Sequence, residues 1–121
     1  MSTTISIEIE GPIPSKKNQW GKRRGGVGLP AQARAEVDAI TWRIIAAWGK
    51  RPMVRNERIT FRFWSPRKDR DNLYTTVLDC MAAANMIEDD RAEAMNGEHV
   101  LTPLIRDRRE RVVIEVERCH L

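Results

Sequence analysis

The stretch from Glu57 to Ala84 constrains the fold most strongly, because its hydrophobic period changes once, near Asp71. Up to Trp64 apolar and polar residues alternate, which predicts a strand with one buried face. After Asn72 the apolar residues recur every three or four positions, which predicts an amphipathic helix. The apolar stripe of this helix is Leu73, Val77, Cys80, Met81 and Ala84. A strand that leads directly into a helix is a rigid mount for the residues between them.

Two aspartates, Asp69 and Asp71, stand at this junction, and a second acidic pair, Asp89 and Asp90, follows the helix. If residues 68–71 are extended, Asp69 and Asp71 point to one side and Asp71 takes the N-cap position. Neighbouring carboxylates repel one another, and a hard divalent ion that prefers oxygen ligands relieves the repulsion. The pattern therefore predicts a site for Mg²⁺ or Mn²⁺. Plain helix capping followed by a solvated acidic turn is the alternative interpretation.

Charge is distributed unevenly along the chain. Residues 15–70 contain fifteen Lys or Arg against four acids, whereas residues 71–121 contain six against eleven. A basic half beside an acidic cluster suits a polyanion bound over a metal site, and a solvated basic surface is the alternative. The segment 15–26 is predicted to be a loop in which cations neutralise phosphates and Trp20 stacks on an exposed base, or else a surface loop without a ligand.

The remaining segments complete one domain. Strict alternation over residues 5–10 predicts a first strand, and a helix is expected from Pro30 to Gly49. Its predicted buried stripe is Val37, Ile40, Ile44, Ile45 and Trp48. Two strands are expected within 99–105 and 111–117.

We expect a polar hairpin turn at residues 107–110 to join these last two strands. The predicted order is then β-α-β-α-β-β. This is an α/β domain of the mixed α+β kind, with a mixed four-stranded sheet and two helices packed on it, that spans residues 1–121.

No stretch is apolar enough to span a bilayer, and the N-terminus lacks a signal peptide. Cys80 and Cys119 are predicted to be reduced thiols, and the two histidines are too sparse to form a zinc site with them. These features indicate a cytoplasmic protein.

The motif residues resemble those of the RusA endodeoxyribonucleases, the Holliday-junction resolvases of phages and prophages. The similar elements are Asp69-Arg70-Asp71-Asn72-Leu73, Leu78-Asp79, Ile87-Glu88-Asp89-Asp90 and the opening loop Pro12-Ile13-Pro14-Ser15-Lys16-Lys17-Asn18. The resemblance covers most of the chain.

The resemblance implies a homodimeric, Mg²⁺-dependent endodeoxyribonuclease, with Mn²⁺ as a substitute ion and no organic cofactor. Its expected substrate is branched double-stranded DNA, a four-way junction resolved by paired symmetric nicks that leave 5′ phosphates, during recombination and repair in the bacterial host cytoplasm. The essential carboxylates fall on Asp69, Asp71 and Asp90, with Asp89 a further candidate metal ligand. The expected DNA contacts are Lys16, Lys17, Asn18, Trp20, Lys22, Arg23, Arg24, Arg67, Lys68 and Arg70.

One position departs from the family, which usually carries a lysine where this chain has Thr75. Either Lys68 or Arg70 supplies the missing charge, or the enzyme is slow or inactive. Two alternatives to an active resolvase therefore stay open. One is a branched-DNA-binding protein of phage origin with weak or no catalysis, and the other is a structural or regulatory phage protein with incidental acidic turns.

Overall fold

The computed structural model describes residues 2–14, 31–66, 69–88 and 98–119. Within these ranges the chain forms four strands and two helices in the predicted order. They are β1 (Ser2–Glu10), α1 (Ala31–Trp48), β2 (Arg58–Trp64), α2 (Arg70–Ala83), β3 (His99–Leu101) and β4 (Arg111–Cys119). The predicted α/β fold with a mixed sheet is thereby confirmed. Neither helix has the length and apolarity needed to cross a membrane in the part of the chain described.

The strands lie in the order β1-β4-β2-β3. β4 pairs antiparallel with both β1 and β2, and β3 pairs parallel with β2. In these registers Glu10 and Trp64 both lie opposite Arg111, so β1 and β2 finish where β4 begins. This edge is termed the Trp64 end of the sheet, and the edge where Arg58 lies opposite Glu117 is termed the Arg58 end.

The predicted hairpin between the last two strands is wrong. β2 lies between β3 and β4, so residues 107–110 do not join neighbouring strands. The chain instead crosses the Trp64 end, where Ser65 N donates to Ile105 O (3.0 Å) and Asp107 N donates to Ser65 O (3.4 Å). A polar segment predicts a turn, but it does not specify the strand that lies beyond the turn. Pro103 follows β3, which is an edge strand, so its missing N–H leaves no gap between neighbouring strands.

Both helices cover one face of the sheet. α1 packs against β1 and α2, and α2 packs against β2. The buried strand residues are Ile7, Ile9, Ile59, Phe61, Phe63, Val112, Ile114 and Val116. The opposite face is charged, with Arg62 Nε 2.7 Å from Glu115 Oε1. The alternation in the sequence therefore predicted correctly which side chains of the strands form the core.

The predicted helical stripes are largely confirmed, with one error in each helix. Ile45 is 39% exposed although Ile44, one residue earlier, is fully buried. The stripe of α1 is therefore narrower than predicted, because each helical step rotates the side chain by about 100°. In α2 the predicted stripe is buried except for Ala84, which is the half-buried C-cap residue, and Asn72 at the start of the helix is also only 9% exposed.

The end of α2 sends the chain toward the Arg58 end of the sheet. Asn85 adopts a left-handed conformation with φ 59°. Met86 N donates to Met81 O (3.0 Å), which satisfies a carbonyl of the last turn as in a Schellman motif. Val54 N, four residues before β2, then donates to Met86 O (2.8 Å). The segment after α2 is thus fixed beside the residues that precede β2.

Candidate active site

Asp69 is the N-cap residue of α2. Its Oδ1 accepts a hydrogen bond from the backbone N of Asn72 (3.1 Å), and its Oδ2 accepts one from the Asn72 side-chain amide (2.6 Å). The prediction that Asp71 caps the helix is therefore wrong. Asp69 is favoured as the cap because it satisfies two donors of Asn72, one of them on a buried side chain.

Asp71 lies in the first turn of α2, and its side chain is 79% exposed. Arg70 Nε lies 3.6 Å from Asp71 Oδ1. The unpaired backbone N–H groups of a first helical turn carry partial positive charge, which favours a carboxylate there. Asp69 and Asp71 therefore stand at the same helix end, as predicted, although helical rather than extended geometry sets the direction of Asp71.

Arg70 is the one predicted DNA-contact residue within the described ranges. Its Nη1 donates to Leu101 O (3.4 Å) and Thr102 O (3.2 Å), which connects α2 to the end of β3. These bonds hold a guanidinium beside Asp71. Thr75 carries no charge, and its hydroxyl donates to Asp71 O (2.9 Å). Of the two cations considered as replacements for the family lysine, Arg70 is thus adjacent to the acid pair, and Lys68 lies outside the described residues.

Asp69, Arg70, Asp71 and Leu104 line an open pocket of about 530 Å³. Its carboxylate oxygens are the ligands that hard divalent ions prefer, and Mg²⁺ is often held by one or two carboxylates with water and phosphate completing the shell. The acid pair therefore fits Mg²⁺ or Mn²⁺. Among the residues described, no group of three His, Cys, Asp or Glu is placed to hold an ion. Further ligands have to come from water, from the substrate or from other carboxylates.

Asp89 and Asp90 lie outside the described residues. The residue before them, Glu88, forms an ion pair with Arg55 (3.4 Å) near the Arg58 end. Asp69 lies at the opposite end of α2, whose 14 residues rise by about 21 Å. Glu88, the last described residue before the second acidic pair, therefore lies about one helix length from Asp69.

The other predicted DNA contacts also lie outside the described residues: Lys16, Lys17, Asn18, Trp20, Lys22, Arg23, Arg24, Arg67 and Lys68. The residues that precede and follow these segments are informative. Thr76 Oγ1, on α2, donates to Pro14 O (2.6 Å), which precedes the basic loop. Pro66 and Asp69 flank the second basic segment. Both segments are therefore joined to the chain near the first two turns of α2.

Glu110 has a role that sequence reasoning missed. Its Oε2 accepts from Ile13 N (2.6 Å) and its Oε1 accepts from Ser65 Oγ (2.9 Å), partners 97 and 45 residues away. Its carbonyl also accepts from Gly11 N (3.1 Å). One residue thus connects the ends of β1 and β2 to the start of β4. No local pattern indicates this role, because every partner is distant in sequence.

Within the described ranges, the surroundings shift the pKa values of Asp107, Tyr74 and His99. The hydrogen bond from Arg109 N, followed by the charge of Arg111, holds the pKa of Asp107 below its usual value. Asp107 therefore stays ionised to lower pH, and any stability it contributes is lost only as the pH falls through its folded pKa. Burial raises the pKa of Tyr74 and lowers the pKa of His99, whose Nδ1 lies 2.5 Å from the Tyr74 hydroxyl.

The capping bonds predict different stability effects for the two aspartates. Asp69→Ala should lower the free energy of unfolding by about 2 kcal/mol, because the cap is lost and the buried Asn72 amide loses its acceptor. Asp71→Ala removes the same charge from the same helix end and should cost less than about 1 kcal/mol. Urea denaturation of both variants measures the difference. Equal losses would contradict the assigned cap.

Comparisons with known proteins do not identify the chain. No protein-family model matches the sequence, and no curated protein is significantly similar to it. The resemblance to the RusA endodeoxyribonucleases therefore depends on the motif residues alone.

Proposed function

We propose that this protein is a Mg²⁺-dependent endodeoxyribonuclease that resolves four-way DNA junctions by paired symmetric nicking, as a homodimer in the cytoplasm of a bacterial host. The observation that carries the proposal is the placement of Asp69 and Asp71 in one open pocket at the start of α2, beside the guanidinium of Arg70. Metal-assisted phosphodiester hydrolysis requires carboxylates that hold a metal ion and a positively charged side chain that neutralises the phosphate.

The basic segments support the same substrate. The loop that follows Pro14 begins where Thr76 of α2 holds the Pro14 carbonyl, and residues 67–68 directly precede Asp69. Basic segments that join the chain near the acid pair favour a polyanion as the substrate, because each neutralised phosphate strengthens binding by releasing counterions. This charge pattern favours a nucleic acid over a small anionic substrate.

In this reaction Asp69 and Asp71 hold the ion, and Arg70 orients and neutralises the phosphate that enters the pocket. A divalent ion held by Asp69 and Asp71 would supply the Lewis-acid charge that hydrolysis of the scissile phosphate needs. The hydrogen bonds from Asn72 fix the Asp69 carboxylate before substrate arrives. A fixed carboxylate lowers the reorganisation that the site needs at the moment of reaction.

The separation between Glu88 and Asp69 supports a site shared between two copies of the chain. Glu88 lies near the Arg58 end, about one 21 Å helix length from Asp69. Two further residues extend a chain by about 7 Å at most, which is much less than this helix length. We therefore propose that Asp90 of one copy joins Asp69 and Asp71 of the other. A two-fold dimer then contains two equivalent sites, which suits the two-fold symmetry of a four-way junction.

Cleavage of a synthetic four-way junction tests the proposed activity. With Mg²⁺ or Mn²⁺ the protein should nick two opposed strands and leave 5′ phosphates, and chelation of the ion should stop the reaction. Asp71→Asn should lower the cleavage rate by more than about 100-fold, because it removes a direct ion ligand. The fraction of nicked and resolved junction on a denaturing gel is the measurement.

Glu117→Gln is the matched control for this experiment, because it removes one carboxylate at the far end of the sheet, 3.8 Å from Arg58. It should cleave like the wild type. Junction binding without cleavage in either ion would support an inactive DNA-binding protein instead. If the protein shows no preference for branched DNA, both assignments are wrong and a structural or regulatory role is favoured.

Mixing two inactive variants tests the shared site. Asp71→Asn and Asp90→Asn should each be inactive alone, yet a mixed dimer contains one site with both native aspartates. Exchange of subunits should therefore restore activity in the mixed dimers. Each mixed dimer should nick one strand, half the number that a wild-type dimer nicks. Native mass spectrometry confirms that mixed dimers form. Mixed dimers without activity would show that each site uses the aspartates of a single chain.

Thr75 favours a second candidate function, a branched-DNA-binding protein with weak cleavage, because no charge is present where the family has lysine. The Thr75 side chain is exposed and lies one turn from Asp71, so a longer side chain fits without displacing the core. Thr75→Lys should raise the cleavage rate on the order of tenfold by adding a cation for the transition-state charge. Single-turnover cleavage is the measurement. An unchanged rate would mean that Arg70 already supplies this charge.

A further inference from the structure

A second open pocket of about 530 Å³ lies at the Trp64 end of the sheet and is not part of the acid-pair pocket. Its walls come from the ends of β1 and β2, from α1 and from the segment before β4. Three arginines line it, Arg43, Arg108 and Arg109, and this pocket is termed the arginine cleft. These arginines come from segments that are distant along the chain, so no local sequence pattern brings them together.

The two glutamates of the cleft are already engaged. Glu10 forms an ion pair with Arg109. The carboxylate of Glu110 accepts hydrogen bonds from Ile13 N and Ser65 Oγ. The oxygens of both acids are therefore engaged by neighbouring groups, and among the described lining residues three arginines against two glutamates leave an excess of one positive charge.

Arg43 is held in place across the cleft. Its Nη1 donates to Glu10 O (2.5 Å), which uses one of the five N–H donors of the guanidinium. Gly11 leaves room for the Arg43 guanidinium, because a Cβ at residue 11 would collide with it. Gly11 also has a φ of +121°, which residues with a side chain rarely adopt. The remaining donors of Arg43 and the exposed side chain of Arg108 are suited to phosphate oxygens, which guanidinium groups bind through paired hydrogen bonds.

The cleft lies close to the acid pair along the chain. Pro66 lines it, and three residues later Asp69 lines the acid-pair pocket. Three residues span about 11 Å at most, which corresponds to roughly three nucleotides at a rise of about 3.4 Å per nucleotide. A DNA strand with its phosphate at Asp69 and Asp71 therefore has further phosphates within reach of the cleft.

We propose that the arginine cleft binds backbone phosphates of a DNA strand a few nucleotides from the cleavage position, and so sets the direction in which a junction arm leaves the site. This inference rests on the proposed function, since it assigns a second contact to the same substrate. The contact is to the backbone alone, so it adds affinity and orientation without sequence preference.

Binding without divalent ions tests the inference separately from cleavage. Fluorescence anisotropy with a labelled four-way junction gives the affinity at each of a series of salt concentrations. The measured slope is that of the logarithm of the affinity against the logarithm of the salt concentration. Arg108→Ala should weaken binding about fivefold at 0.15 M salt and reduce the slope by about one, the change expected for one lost phosphate contact. Arg43→Ala should act in the same direction.

Arg62→Ala is the matched control, because it removes one arginine charge from the face of the sheet opposite the helices, where Arg62 is paired with Glu115. It should leave the slope unchanged, and Asp71→Asn should still bind. If Arg108→Ala and Arg43→Ala keep the wild-type slope while the wild type binds and cleaves junctions, the cleft inference is overturned and the proposed function stands. If the wild type itself does not bind junctions, both are overturned.

Discussion

The pairing of β4 with both β1 and β2 is the constraint on which the candidate site depends. Because β4 runs antiparallel to both neighbours, the ends of β1 and β2 meet its beginning around Arg111. Glu110, one residue earlier, then accepts hydrogen bonds from segments that follow each of the two strands. The start of the basic loop, the strand that leads to the aspartates and the arginine cleft are consequently assembled at one end of the sheet.

The two aspartates differ in how much the fold requires of them. Asp69 is the cap of α2 and the acceptor for a buried amide, so its position is fixed by folding. Asp71 is exposed, and Arg70 is the charged group beside it. A helix N-terminus favours both carboxylates and so offsets part of their mutual repulsion. In the proposed site, a divalent ion would thus meet one rigid and one adaptable ligand.

A site shared between two copies of a small domain fixes the position of one site relative to the other, which a single copy cannot do. In the proposed dimer each site contains an aspartate from each chain, so the spacing and orientation of the two sites follow from the interface. In the same proposal the arginine cleft would add a DNA contact on each chain, close along the chain to its acid pair. Affinity from the backbone contacts and symmetry from the dimer would together select a branched substrate.

Local sequence patterns were enough to predict the elements, their order, the buried face of each strand and the presence of Asp69 and Asp71 at a helix start. These features follow from local periodicity and from residues next to one another in the chain. Only the tertiary structure decided that β2 separates β3 from β4, that Asp69 rather than Asp71 is the cap, and that Glu110 joins two strand ends. Each of these depends on which donors are buried and on contacts between distant residues, and a local pattern contains neither.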